Sequence, residues 1–151
     1  MSRTLAWFVH ISNAAVGLTG LVYAWMRYAM EPSDPYAVVA HPAQPLVQHL
    51  HVWTAPLAIF ALGLIWQRHA WKHWREGKRD GRPTGVTLLA TAVPMITSGY
   101  FLQTAVSPTS RTVWIVVHLA AAALWIAGYV GHALTEKNGE KVPAALTITK
   151  G

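Results

Sequence analysis

Two histidines stand fourteen residues apart in the last and most apolar segment of the chain, at His118 and His132. An α-helix rises about 1.5 Å per residue and turns about 100°, so the two imidazoles should share one face, about 21 Å apart. Ionisable groups inside an apolar span are costly and usually functional. Imidazole is a common metal ligand and an axial ligand for haem iron. The pair therefore predicts two ligand positions, one towards each end of a helix.

Two other apolar segments also carry histidines, His10 on the first and the pair His49 and His51 on the second. His49 and His51 lie about 200° apart on a helix, so only one of them can face a bundle interior. We favour His51, because Ala55 and Ala58 follow it at one and two turns and leave room for a flat ring. His49 stays as the alternative ligand.

Small residues lie within one or two turns of the other three histidines as well. They are Ala14 and Gly17 after His10 (followed further along by Gly20), Ala121 and Ala122 after His118, and Gly128 and Gly131 before His132. Small residues also serve ordinary helix packing in membranes, so they favour a cofactor site only in combination with the histidines.

The composition is that of an integral membrane protein. Of 151 residues, 53% are hydrophobic and 12% are charged, about half the charged share of a soluble domain. The absence of cysteine excludes disulfides, iron–sulfur clusters and covalently attached haem within this chain. All six Asp and Glu residues lie outside the apolar segments, and no motif indicates bond-making catalysis by side chains.

Four apolar segments are long enough to cross a bilayer, at about 5–28, 46–68, 85–106 and 112–135. We therefore predict an all-α, four-helix membrane bundle formed by one domain, residues 1–151. The first segment is too long for a signal-peptide core and is interpreted as a retained span. The loop 29–45 is rich in proline and should be irregular, whereas 107–111 is predicted to be a tight turn.

Positive charge predicts the orientation of these spans. Ten Lys and Arg residues lie on the side of the termini and the second loop, and only Arg27 and Arg111 lie on the opposite side. The positive-inside rule then places both termini in the cytoplasm. His49, His51 and His118 fall near the outer surface, and His10, His69 and His132 near the cytoplasmic one. His69, at the end of the second span, is interpreted as interfacial, with haem ligation or quinone contact as the alternative. His41 is expected at the surface of the outer loop, and His73 is expected to be a solvated residue of the basic loop.

The chain resembles the four-helix dihaem cytochrome b subunits of membrane formate dehydrogenases and nickel–iron hydrogenases. The resemblance covers roughly residues 5–135 and rests on His10, on Leu50-His51, on His118 with His132, and on Thr97-Ser98-Gly99 in the third span. Ala55 stands where the family usually has glycine, and the cytoplasmic loop is shorter.

The resemblance implies two b-type haems, an inner one held by His10 and His132 and an outer one held by His51 and His118. It implies electron transfer between the quinone pool and a redox partner subunit, in a bacterial cytoplasmic (inner) membrane. The partner itself, formate- or hydrogen-linked or otherwise, is left open. Two other functions fit the sequence less well. One is a haem-free anchoring subunit, and the other is a histidine-based metal-ion transporter, which lacks Asp, Glu and Cys within the spans.

Overall fold

The computed structural model describes residues 2–32, 34–66, 71–77 and 82–139, and over that part the chain forms helices and no strands. The elements in chain order are α1 (Arg3–Tyr28), α2 (Gln44–Ile65), the single turn α3 (Lys72–Arg75), α4 (Arg82–Thr104) and α5 (Pro108–Gly139). The predicted all-α class is confirmed.

Four of these helices are long and apolar enough to span a membrane. The spanning segments are Arg3–Tyr28, Gln44–Ile65, Pro83–Thr104 and Pro108–Leu134, with mean hydropathy between 1.3 and 2.0. A span needs about 20 apolar residues, and every segment exceeds that length. The chain is accordingly a multi-pass membrane protein by helix length and composition, as predicted.

Side-chain caps and prolines determine where the helices begin. The Ser2 hydroxyl accepts a hydrogen bond from the Leu5 amide at 3.3 Å and caps α1. The Ser107 hydroxyl accepts from the Ser110 amide at 3.1 Å, and Pro108 is the first residue of α5. A capping serine followed by proline is a helix start, because proline has no amide hydrogen to leave unpaired there. The predicted turn at 107–111 is therefore wrong. The link is 105–107, and 108–111 form the first turn of α5.

The loop between α1 and α2 has no helix in its described residues, 29–32 and 34–43, as expected. Its turns are held by local hydrogen bonds, including one from the Tyr36 amide to Asp34 Oδ1 at 2.9 Å. His41, expected to be a surface residue, is half-buried, and its Nδ1 accepts from the Ala43 amide at 3.1 Å. His41 thus orders the chain where it enters α2.

The chain divides into two compact units, Met1–Trp74 and Arg75–Gly151. In the first, α1 and α2 form an antiparallel hairpin, in which the rings of Phe8 and Phe60 pack edge to face with centroids 6.1 Å apart. In the second, α4 and α5 form another, with Phe101 and Trp114 stacked at 4.4 Å. The arrangement of all four spans as one bundle and one domain stays a prediction.

Hydroxyl groups within the spans donate to carbonyls of their own helix. Thr19 donates to the Ala15 carbonyl at 2.7 Å, and Thr91 to the Thr87 carbonyl at 2.7 Å. A bilayer supplies no water, so polar groups must find partners within the protein. Among the described residues, no buried side-chain nitrogen or oxygen lacks one. Once a hydroxyl has donated its proton in this way, its oxygen can still accept from a neighbouring helix.

Candidate functional site

His51 is half-buried on α2 and packs against α1. Its Nδ1 lies 3.0 Å from the Val16 carbonyl oxygen and 3.4 Å from Thr19 Oγ1. Gly20 lies directly beside the ring, because a Cβ built there would be only 2.8 Å from His51 Cε1. Such a distance is far below van der Waals contact, so a larger residue at position 20 would force the imidazole to move. The ring position therefore depends on glycine.

His118 has the same surroundings in the second hairpin. Its Nδ1 lies 3.1 Å from the Met95 carbonyl oxygen and 3.0 Å from Ser98 Oγ. Ser98 is fully buried, at 0% exposure, and its hydroxyl also lies within hydrogen-bond distance of the Met95 carbonyl at 3.0 Å. A Cβ at Gly99 would lie 3.4 Å from His118 Cε1, at the short end of ordinary van der Waals contact.

The two surroundings form one recurring feature, which we call the hydroxyl–glycine notch. It consists of a helix carbonyl, a hydroxyl residue three positions later and a glycine one position after that. The notch for His51 is Val16, Thr19 and Gly20, and the notch for His118 is Met95, Ser98 and Gly99. Positions i, i+3 and i+4 share one helix face, so the first helix of each hairpin presents all three groups to a histidine on the second.

His132 meets a similar pair of residues nearer the start of α4. Its Nδ1 lies 3.0 Å from Thr84 Oγ1, and a Cβ at Gly85 would lie 3.9 Å from its Cε1. Thr84-Gly85 precedes Ser98-Gly99 by fourteen residues, the same spacing that separates His118 from His132. Because α4 and α5 are antiparallel and both spacings are fourteen residues, His118 lies opposite Ser98-Gly99 and His132 lies opposite Thr84-Gly85.

His10 has different surroundings. It is exposed on α1 and lines an open groove of about 320 Å³ together with Arg3, Ala6 and Trp7. Gly20, which follows Ala14 and Gly17 along the same helix, lies beside His51 of α2.

The remaining assignments follow from packing within each hairpin. His49 is exposed, whereas His51 is half-buried against α1, in line with choosing His51 as the residue that faces a neighbouring helix. The sequence predicts that Gly128 and Gly131 provide space for His132.

The nearest neighbours of these glycines are side chains of α4. Leu88 and Thr87 lie beside Gly128, and Thr84 lies beside Gly131. His69, the other possible ligand, lies outside the described residues.

The notch determines which imidazole nitrogen can bind a metal. A carbonyl oxygen can only accept, so the close contacts to Val16 and Met95 require the proton on Nδ1 of His51 and His118. The lone pair is then on Nε2. Metal-bound histidines commonly donate their other ring N–H to a carbonyl, which fixes the tautomer and the ring orientation and raises the basicity of the ligand. The donor set therefore suits an axial ligand of haem iron.

Sequence reasoning identified Ser98-Gly99 but missed Thr19-Gly20 and Thr84-Gly85. The available signal was the dipeptide itself, a hydroxyl residue followed by glycine within a span. Among the described residues it occurs opposite His51, His118 and His132, which pack inside a hairpin. Within the described part of the chain, no three His, Cys, Asp or Glu side chains group to hold a metal ion. An axial haem pair needs only two ligands.

Comparison of the chain with protein-family models, curated proteins and solved structures found no match.

Proposed function

We propose that the chain transfers electrons across a membrane through two non-covalently bound b-type haems, with His10, His51, His118 and His132 as the iron ligands. The observation that supports this most strongly is the notch. Two histidines on different apolar hairpins each place Nδ1 against a backbone carbonyl and a hydroxyl, which leaves the lone pair on Nε2.

The notch and the composition of the spans favour this proposal over a metal-ion transporter. Ion transport through a membrane site commonly uses carboxylate or thiolate ligands that exchange readily, and the spans contain neither Asp, Glu nor Cys. Histidines held in place by two hydrogen bonds suit a permanently bound cofactor better than a passing ion. A haem-free anchoring subunit would use the same hydrogen bonds for packing alone. A measurement of haem content distinguishes this alternative from the proposed function.

The protein residues and the cofactor have distinct tasks in this proposal. Haem supplies one-electron chemistry, whereas the chain supplies the ligands, their orientation and an apolar environment. The ligand pairs are those implied by the sequence resemblance, His10 with His132 and His51 with His118. His49 is the alternative outer ligand, and His69 the alternative inner contact. The chain has no cysteine to bind haem covalently, so both haems must be extractable.

We also propose a location and partners. The chain resides in a bacterial cytoplasmic membrane with both termini inside, accepts or delivers electrons through quinone, and docks a redox subunit. The outer loop 29–45 is the favoured docking surface, because it is the longer stretch without a basic cluster. The basic stretch 68–82 is the alternative, and docking of an acidic partner there would weaken with salt. Cross-linking followed by pull-down tests the complex; recovery of the chain alone, fully active in quinol-linked haem reduction and oxidation, contradicts it.

A reduced-minus-oxidised absorption spectrum of the purified protein distinguishes the candidate functions. Haem-type bands in wild-type protein, lost in a His118→Ala His132→Ala double variant, are the expected result. A haem-free protein with intact helix content would leave the anchoring function as the better account.

A further inference from the structure

The two hydroxyl–glycine notches contain a group that iron ligation itself does not require. The carbonyl alone is sufficient to hold the proton on Nδ1, yet each notch adds a hydroxyl oxygen at 3.0 Å (Ser98) or 3.4 Å (Thr19) from the same nitrogen. Ser98 is completely buried, and placing a hydroxyl in such a position is costly unless its bonds are made.

We propose that Ser98 and Thr19 are positioning residues that tune the reduction potential of the iron ligated by His118 and His51. This inference rests on the proposed function. Each hydroxyl lies within reach of its own helix, Ser98 of the Met95 carbonyl at 3.0 Å and Thr19 of the Ala15 carbonyl at 2.7 Å. With its proton donated there, the oxygen presents a lone pair to Nδ1–H, which then donates to two acceptors.

Two acceptors draw the Nδ1 proton away from the ring more strongly than one. The imidazole becomes a more basic ligand, and a more basic ligand stabilises ferric over ferrous iron. The hydroxyls therefore lower the midpoint potential. Ser98 should act more strongly than Thr19, because its oxygen is nearer to the ring nitrogen and lies out of reach of solvent.

The experiment is a potentiometric titration of the haem-loaded protein in detergent or membranes, followed by optical spectroscopy and by electron paramagnetic resonance of the oxidised haems. Ser98→Ala is expected to retain haem, because the Met95 carbonyl still holds the ring, and to shift one midpoint upward. Ser98→Thr keeps the hydroxyl and should restore the wild-type value. Thr97→Ala is the matched control, since Thr97 is the exposed neighbour of Ser98 on the same helix.

Thr19→Val provides a second measurement at nearly constant volume, should Ser98→Ala lose haem or fail to fold. It should shift the same midpoint upward by less, and Thr19→Ser should restore it. An unchanged or lowered midpoint in haem-loaded Ser98→Ala and Thr19→Val overturns the inference while leaving haem binding intact. A wild-type protein without haem overturns the proposed function as well, so the two failures are distinguishable.

Discussion

Gly20 of α1 and His51 of α2 approach so closely that a Cβ at position 20 would lie 2.8 Å from the Cε1 atom of the imidazole. The contact is with the Nδ1–Cε1 edge of a ring that is held at Nδ1 by the Val16 carbonyl, so the ring has little freedom to yield. Glycine is required here for close approach between helices, and it is the feature on which the position of the candidate ligand depends.

Gly20→Ala is accordingly predicted to displace His51 and to lower the content of the outer haem severely. The corresponding Cβ distances are 3.4 Å at Gly99 and 3.9 Å at Gly85, so Gly99→Ala should have a smaller effect and Gly85→Ala little effect. Haem content per chain, measured after purification, tests this predicted order of effects. Gly63→Ala is the control, because a Cβ there meets nothing within 4 Å. An equal loss in all four variants would show that haem content does not depend on how closely each glycine approaches a histidine.

The four ligand variants are predicted to fall into two pairs. His51→Ala and His118→Ala should each remove the outer haem and retain the inner one, whereas His10→Ala and His132→Ala should do the reverse. The reason is that each pair would hold one haem, so removing either imidazole would take away one of the two side chains that hold that haem in the chain. Low-temperature difference spectra separate the two haems. Any other grouping of the four variants contradicts the proposed pairing.

His49→Ala should bind haem normally, since His49 is exposed and His51 is the residue that packs against α1. Haem quantification of the His49 and His51 variants side by side tests this assignment. Loss of the outer haem in His49→Ala, with retention in His51→Ala, would reverse it. On the inner side, His69→Ala is expected to keep the haem that His10→Ala loses.

The absence of cysteine makes the orientation testable by labelling single introduced cysteines. Tyr36, in the loop between α1 and α2, is 93% exposed, and Thr4 is exposed near the start of α1. A membrane-impermeant thiol reagent on whole cells should label Tyr36→Cys at once and Thr4→Cys only after permeabilisation, as the positive-inside distribution predicts. The opposite labelling order would invert the topology.

Hydropathy was sufficient to predict the four spans and the all-α class, because span length is dictated by bilayer thickness. The helix ends were less predictable. The sequence predicts a turn that includes Ser107-Pro108, although a capping serine and a proline at the first helical position start a helix. Span prediction depends on composition over many residues, whereas an end depends on one or two hydrogen bonds.

The histidines were predictable as candidate ligands, but their surroundings were only partly so. The sequence predicts that small residues on the histidine's own helix provide the space beside each imidazole. In the structure, the glycines beside His51 and His118 come from the preceding helix of the hairpin. Contacts between helices depend on the pairing register, which a single sequence does not display. The Thr19-Gly20 dipeptide is visible in the sequence, but its position opposite His51 follows only from the pairing of α1 with α2.

The most direct test of the account is the haem stoichiometry of the purified chain, measured as the pyridine haemochrome against protein determined by amino-acid analysis. We expect about two haems per chain, fully extractable with acidified acetone because no cysteine is present to anchor them. A protein that folds with its helix content intact and contains no haem would contradict the central claim.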